Sequence, residues 1–146
     1  MRFMLMVKAT EDTEAGVPPT PAQLKGMAEL MEDMARAGIL LGGEGLTPSS
    51  RGKRMRIEGG KVVSVIDGPF AETKELVAGY ALVEVGSWEE LEPWSVRFAA
   101  AQGEGECEIR PLFEAVDFIS EGYNAEDVAR EDALRQRLQA QQQQQQ

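Results

Sequence analysis

Asp67, Glu72, Lys74 and Glu75 fall inside one nine-residue run, Asp67-Gly68-Pro69-Phe70-Ala71-Glu72-Thr73-Lys74-Glu75. Three carboxylates and an ammonium this close together can move a proton or hold an anion. If they line a cleft with Glu44, a carboxylate of raised pKa can act as a proton shuttle. Lys74 would then hold an anionic group or neutralise its neighbours. The same residues also fit a turn capped by Asp67 and followed by solvated charges, because structural ion-pair networks resemble sites. Gly68 lets backbone approach closely, and Phe70 is expected to plug the core beneath the turn.

Other chemistry is thinly represented. With no histidine, neither a Ser-His-Asp triad nor a Cys-His pair can form. Cys107 is the sole cysteine, so no intrachain disulfide forms, and a zinc site would have to rely on carboxylates. Cys107 fits a small apolar filler better than a nucleophile, since no partner base is visible. Arg54, Arg56 and Arg110 can clamp a carboxylate or stand as solvated strand-edge residues. Tyr80 can donate a hydrogen bond into a cleft or pack in the core. Gly42-Gly43-Glu44-Gly45 lacks both a following helix start and the Lys-Ser/Thr of a phosphate loop, so close packing suits it better. The net charge of −10 argues against nucleic acid or an anionic membrane as partner. No apolar run approaches the ~20 residues needed to span a bilayer. The apolar start, interrupted by Lys8, does not read as a signal peptide, and a cytoplasmic location is expected.

The elements that must position these residues follow from pattern. Residues 2–8 read as a strand with Phe3, Leu5 and Val7 on one face and Met4 and Met6 on the other. Residues 9–19 read as a polar loop. Thr20 as N-cap, Pro21 at the first helical position and Gln23 completing a capping box open a helix that ends at Gly38. Its buried stripe is predicted at Leu24, Met27, Ala28, Met31, Met34 and Ala35. Ile39-Leu40-Leu41 begins a second strand. Arg54–Glu58 and Lys61–Val65, joined by Gly59-Gly60, form a hairpin. Leu76–Val85 is a strand apolar on both faces. Ser87 and Glu90 suggest a second capping box, for a helix burying Trp88, Leu91, Trp94, Ser95 and Phe98, with a kink or restart at Pro93. Glu106–Arg110 alternates strictly and closes the sheet.

This order is β-α-β, an inserted hairpin, then β-α-β, a ferredoxin-like α+β arrangement with two helices on one face of an antiparallel sheet. The helices cover one face only. Met4, Met6 and half of the Leu76–Val85 strand would stay wet, and a second copy of the sheet is the economical cover, giving a two-fold dimer with a barrel-like core. Residues 1–118 form the domain. Residues 119–146 form a partly helical tail, its helix capped by Asn124 and ending in poly-Gln.

The Asp67–Glu75 run resembles the DGPF signature of one branch of the YCII-related protein family. Val7-Lys8-Ala9, Gly42-Gly43-Glu44-Gly45-Leu46 with Pro48-Ser49, Gly79-Tyr80, and Ile109-Arg110-Pro111-Leu112-Phe113-Glu114-Ala115 with Asp117-Phe118 agree with it in order. The resemblance implies a dimeric α/β barrel. It implies no single reaction: a few relatives are small-molecule enzymes, one of which eliminates chloride from a hydroxylated aromatic ring. Genes of this branch often lie beside those for extracytoplasmic-function sigma factors. The His–Asp pair of some relatives cannot be carried over to a chain without histidine.

Two functions are expected from these readings. One is a small-molecule-binding protein or cofactor-independent lyase or isomerase, with Asp67, Glu72, Lys74 and Glu75 catalytic and Glu44, Arg54 and Tyr80 binding substrate. The other is a non-catalytic accessory or ligand sensor of a sigma-factor system. No cofactor or metal is expected in either.

Overall fold

The computed structural model describes residues 1–121 and 124–144, with backbone only for residues 119–121. The chain divides into two compact units, Met1–Pro111 and Leu112–Gln146.

In the first unit, β1 (Arg2–Lys8), β2 (Leu40–Gly45), β5 (Val77–Glu84) and β6 (Cys107–Pro111) form one sheet in the order β2-β5-β1-β6. Every neighbouring pair is antiparallel. Helices α2 (Pro21–Arg36) and α3 (Trp88–Gln102) supply the crossovers, giving the expected ferredoxin-like α+β fold. The odd-numbered residues of β1 and β5 turn toward the helices. Phe3, Leu5, Ala81 and Val83 pack there with Leu30 and Met34 of α2 and with Leu91 and Phe98 of α3. Burying each of the larger side chains contributes roughly 1.5–3 kcal/mol.

The helix starts are chemical. Thr20 and Gln23 cap α2 reciprocally, with Pro21 just inside the helix. The stripe of α2 is narrower than expected: Leu30 and Met34 are buried and Met27 and Met31 lean on the core. Leu24, at 58% exposure, lies outside it, as do Ala28 and Ala35. The loop expected over 9–19 contains a short helix, α1 (Glu11–Glu14), nucleated by reciprocal Thr10–Thr13 capping. At α3 the Ser87 hydroxyl accepts from the Glu90 N–H, but the Glu90 carboxylate accepts from Gly86, one residue before the cap. The helix runs through Pro93 without a restart. Proline there costs about 3 kcal/mol. Full burial of Leu91 and Phe98, on either side of it, offsets that.

The hairpin, β3 (Lys53–Glu58) and β4 (Lys61–Asp67), is a two-stranded sheet of its own. Gly59 and Gly60, at φ 55° and 76°, make the tight turn that its twist favours.

In the second unit, a 3-10 segment (Ala115–Glu121) precedes α4 (Ala125–Gln144), which runs through most of the glutamine tract. The Asn124 Oδ1 accepts from the Glu126 and Asp127 N–H groups, so the expected cap forms. Arg135 reaches Glu114, Glu131 and Asp132. Gln145 and Gln146, the last of the tract, lie outside the described residues. Among the described residues no helix is long and apolar enough to cross a membrane.

Candidate functional site

The Asp67–Glu75 run forms the base of the hairpin and its return to the sheet. The Asp67 carboxylate pairs with Lys53 across the strands, rather than accepting from nearby backbone as expected. Gly68 is wedged against the preceding loop: a Cβ there would lie 1.7 Å from the Ser49 carbonyl oxygen. The Gly68 N–H donates to the Gly52 carbonyl at 3.0 Å. The Phe70 N–H donates to Ser49 Oγ at 3.0 Å, and that hydroxyl in turn donates to the Glu14 carboxylate. Glu14 also accepts from the Ser49 N–H. Phe70 does not plug the core. Its ring lies half-buried beneath Arg54, with the guanidinium carbon 4.1 Å from the ring centroid. The motif is thus a clasp holding the Pro48–Gly52 loop to the foot of the hairpin.

Glu72, Lys74 and Glu75 follow on the loop and are exposed, and among the described residues no ion pair or side-chain hydrogen bond joins them to one another. Arg54 is held by Phe70, Arg56 by Glu58, and Arg110 lies 3.9 Å from Glu108. The three arginines therefore do not converge on one point.

Register does bring Glu44 and Tyr80 together. They are direct partners across β2–β5, on the face of the sheet turned away from α2 and α3. Tyr80 is paired in turn with Met6, and Met6 with Glu108. The next row holds Gly42, Leu82, Met4 and Arg110. Met4, Met6, Tyr80 and Leu82 are half-buried, and nothing else in the first unit packs over them as the helices do on the other side. At one end Lys8, only 15% exposed, sets its ammonium 3.5 Å from the Glu108 carboxylate. The face thus combines an apolar centre, a phenol and an ion pair whose lysine is largely buried. It can hold a small, largely flat molecule by its apolar body and orient one polar group.

Gly43 is packed as expected, with any Cβ 2.8 Å from the Tyr80 carbonyl oxygen and 2.7 Å from Met31 Cε. Cys107 leans on the core, and burial pushes its thiol pKa up. An open concavity of about 240 Å³ lies elsewhere, between α3 and β6, lined by Trp88, Glu89, Glu92, Ser95 and Ile109. No expected site residue reaches it. Among the described residues no three His, Cys, Asp or Glu side chains gather as metal ligands.

The family model of the YCII-related domain matches residues 1–116. The chain belongs to the YCII-related family. This YCII-related chain is 30% identical over 90 residues to an uncharacterized protein of Rhizobium meliloti (strain 1021), covering 61% of this chain and 72% of that one. It also resembles the solved 5-chloro-2-hydroxyhydroquinone dehydrochlorinase of Burkholderia phenoliruptrix AC1100, in complex with 2,5-dihydroxybenzoquinone, at a TM-score of 0.42 and 11% identity. That match covers 78% of this chain and 95% of the other, and a likeness so remote says nothing of this chain's chemistry.

Lys8 and Glu108 of the YCII-related domain were not among the site residues expected from sequence. Their alternation with Val7, Cys107 and Ile109 marked them for the outer face, but only the β1–β6 pairing, which sets Met6 opposite Glu108, brings Lys8 within reach of Glu108.

Proposed function

We propose that the protein is a small-molecule-binding protein of the DGPF-motif branch, acting as a homodimer. Its site lies between the open sheet face of one copy and a second copy. The observation that carries this reading is the open face itself: Met4, Met6 and Leu82 at the centre, with Glu44, Tyr80 and the Lys8–Glu108 pair at one end. A second sheet would exclude water from that face and strengthen every polar contact within it. The chemistry that fits is a cofactor-independent lyase or isomerase step by proton transfer. Glu44 and Tyr80 contact the ligand. Asp67, Glu72, Lys74 and Glu75 enter because their loop leads into β5 next to the Glu44–Tyr80 row. Arg54 stands at the hairpin base beside the same loop.

A thermal-shift screen of small phenols, quinones and hydroxy acids tests this, since a ligand stabilises the folded state by mass action. The expected result is a hit whose shift is lost in Tyr80→Phe and Lys8→Met. A hit whose shift survives both substitutions overturns the placement. Turnover of that hit falling in Glu72→Gln or Glu75→Gln supports proton transfer from the loop. Turnover unchanged in both, and in Asp67→Asn, removes the loop from catalysis. A ligand bound at this face but recovered unchanged would favour the sensing accessory of a sigma-factor system over the lyase.

A further inference from the structure

The β3–β4 hairpin is unlike the rest of the chain in three ways. Its base is fixed by the clasp of Glu14, Ser49, Gly68 and Phe70, so its direction is set. Its blade carries Met55, Ile57, Val62, Val63, Val65 and Ile66, each between 50% and 63% exposed. Met55 and Val65 are direct partners, and Ile57 lies two residues along the same strand face, so these three form an apolar strip. A two-stranded hairpin without cover is marginal in water, and exposed apolar strands invite pairing. The first unit does not supply that cover.

The third feature is charge. Residues 51–67 hold five basic side chains against two acidic ones, a net +3. The remaining residues hold ten basic against twenty-three acidic, a net −13. The hairpin is a basic, apolar blade on an acidic molecule. A nucleic acid drawn to the blade would be repelled by everything behind it. A second copy of the chain is not: the blade of each copy meets the acidic surface of the other, and both contacts are attractive.

We infer that the β3–β4 hairpin is an intermolecular arm, seated through its Met55–Ile57–Val65 face on a second copy of this chain. Like the proposed function, this needs a second copy, but it does not need the open sheet face to be the surface of contact.

Sedimentation equilibrium of the full chain separates the two. Ile57→Thr with Val65→Thr keeps the branched side chains that suit a strand and removes apolar contact. Arg51→Gln with Lys61→Gln removes positive charge from two exposed positions within residues 51–67. Circular dichroism confirms that each variant is folded. The wild-type dimer is expected to weaken about tenfold between low and moderate salt. The threonine pair should weaken it by about a hundredfold, and the glutamine pair should flatten the salt dependence. A threonine variant that dimerises within about twofold of wild type overturns the inference, and so does a wild type that stays a monomer. Leu82→Glu is the comparator. If it alone dissociates the dimer, the open face carries the association and the arm does not. If the threonine pair dissociates the dimer and Leu82→Glu leaves it intact, the arm stands and the open-face reading falls.

Discussion

A methyl group added at position 68 has nowhere to go, because the Ser49 carbonyl already occupies its place. Gly68→Ala is therefore expected to cost roughly 1–3 kcal/mol by forcing backbone apart. Its neighbour Asp67 pairs with Lys53 in solvent, where such pairs contribute about 1 kcal/mol or less. Urea melts of Gly68→Ala and Asp67→Asn should thus differ clearly, with the glycine variant the less stable. The reverse order would show that the motif's acid, and not its close packing, holds the clasp. Cys107 offers a second check. Burial raises its thiol pKa, so less thiolate is available near pH 8, and labelling should run about tenfold slower than for a free cysteine until denaturant exposes it. Labelling at the free rate in the folded protein would place the side chain at the surface.

Between elements, the tie most open to test is that of α2 and α3. Asp33 of α2 accepts a charge-assisted hydrogen bond from Arg97 of α3, which holds its carboxyl below the ordinary carboxylate range, with Arg36 adding to the effect. A carboxyl whose pKa is lowered on folding contributes stability above its unfolded value, near 3.8 here. That contribution is lost as pH falls through the folded value. Asp33→Asn should therefore remove part of the stability lost below about pH 4 and leave the rest of the profile parallel. An unchanged acid limb would mean that the pair adds nothing.

The elements themselves were largely legible where one local rule decided them: the Thr20–Gln23 cap, the Gly59-Gly60 turn, the Asn124 cap. They were misread where two rules competed. Leu24 satisfied the helical spacing, yet Leu30, four residues before Met34, took the buried position. Pro93 broke the propensity rule, yet tertiary burial carried the helix through it. Thr10 and Thr13 built a helical turn from hydroxyls in a stretch whose composition reads as loop.

For the molecule as a whole, the order of strands and helices was enough to predict the ferredoxin-like arrangement with both helices on one face of the sheet. The site was less legible. Glu44, Tyr80, Lys8 and Glu108 come from four strands, and only the register of three strand pairings sets Glu44, Tyr80 and Glu108 in one row with Met6, with Lys8 reaching Glu108 from two residues along β1. The glycine and backbone N–H groups of the Asp67–Glu75 run hold two loops together, while Asp67 pairs with Lys53 and Glu72, Lys74 and Glu75 are exposed. The central claim is that the open face belongs between two copies. The most direct test is the solution mass of the wild-type chain beside Met4→Glu and Leu82→Glu, each checked for fold by circular dichroism. The account predicts twice the chain mass for wild type at micromolar concentration and a single chain for both variants. A wild type of single-chain mass, or a dimer indifferent to both substitutions, would contradict it.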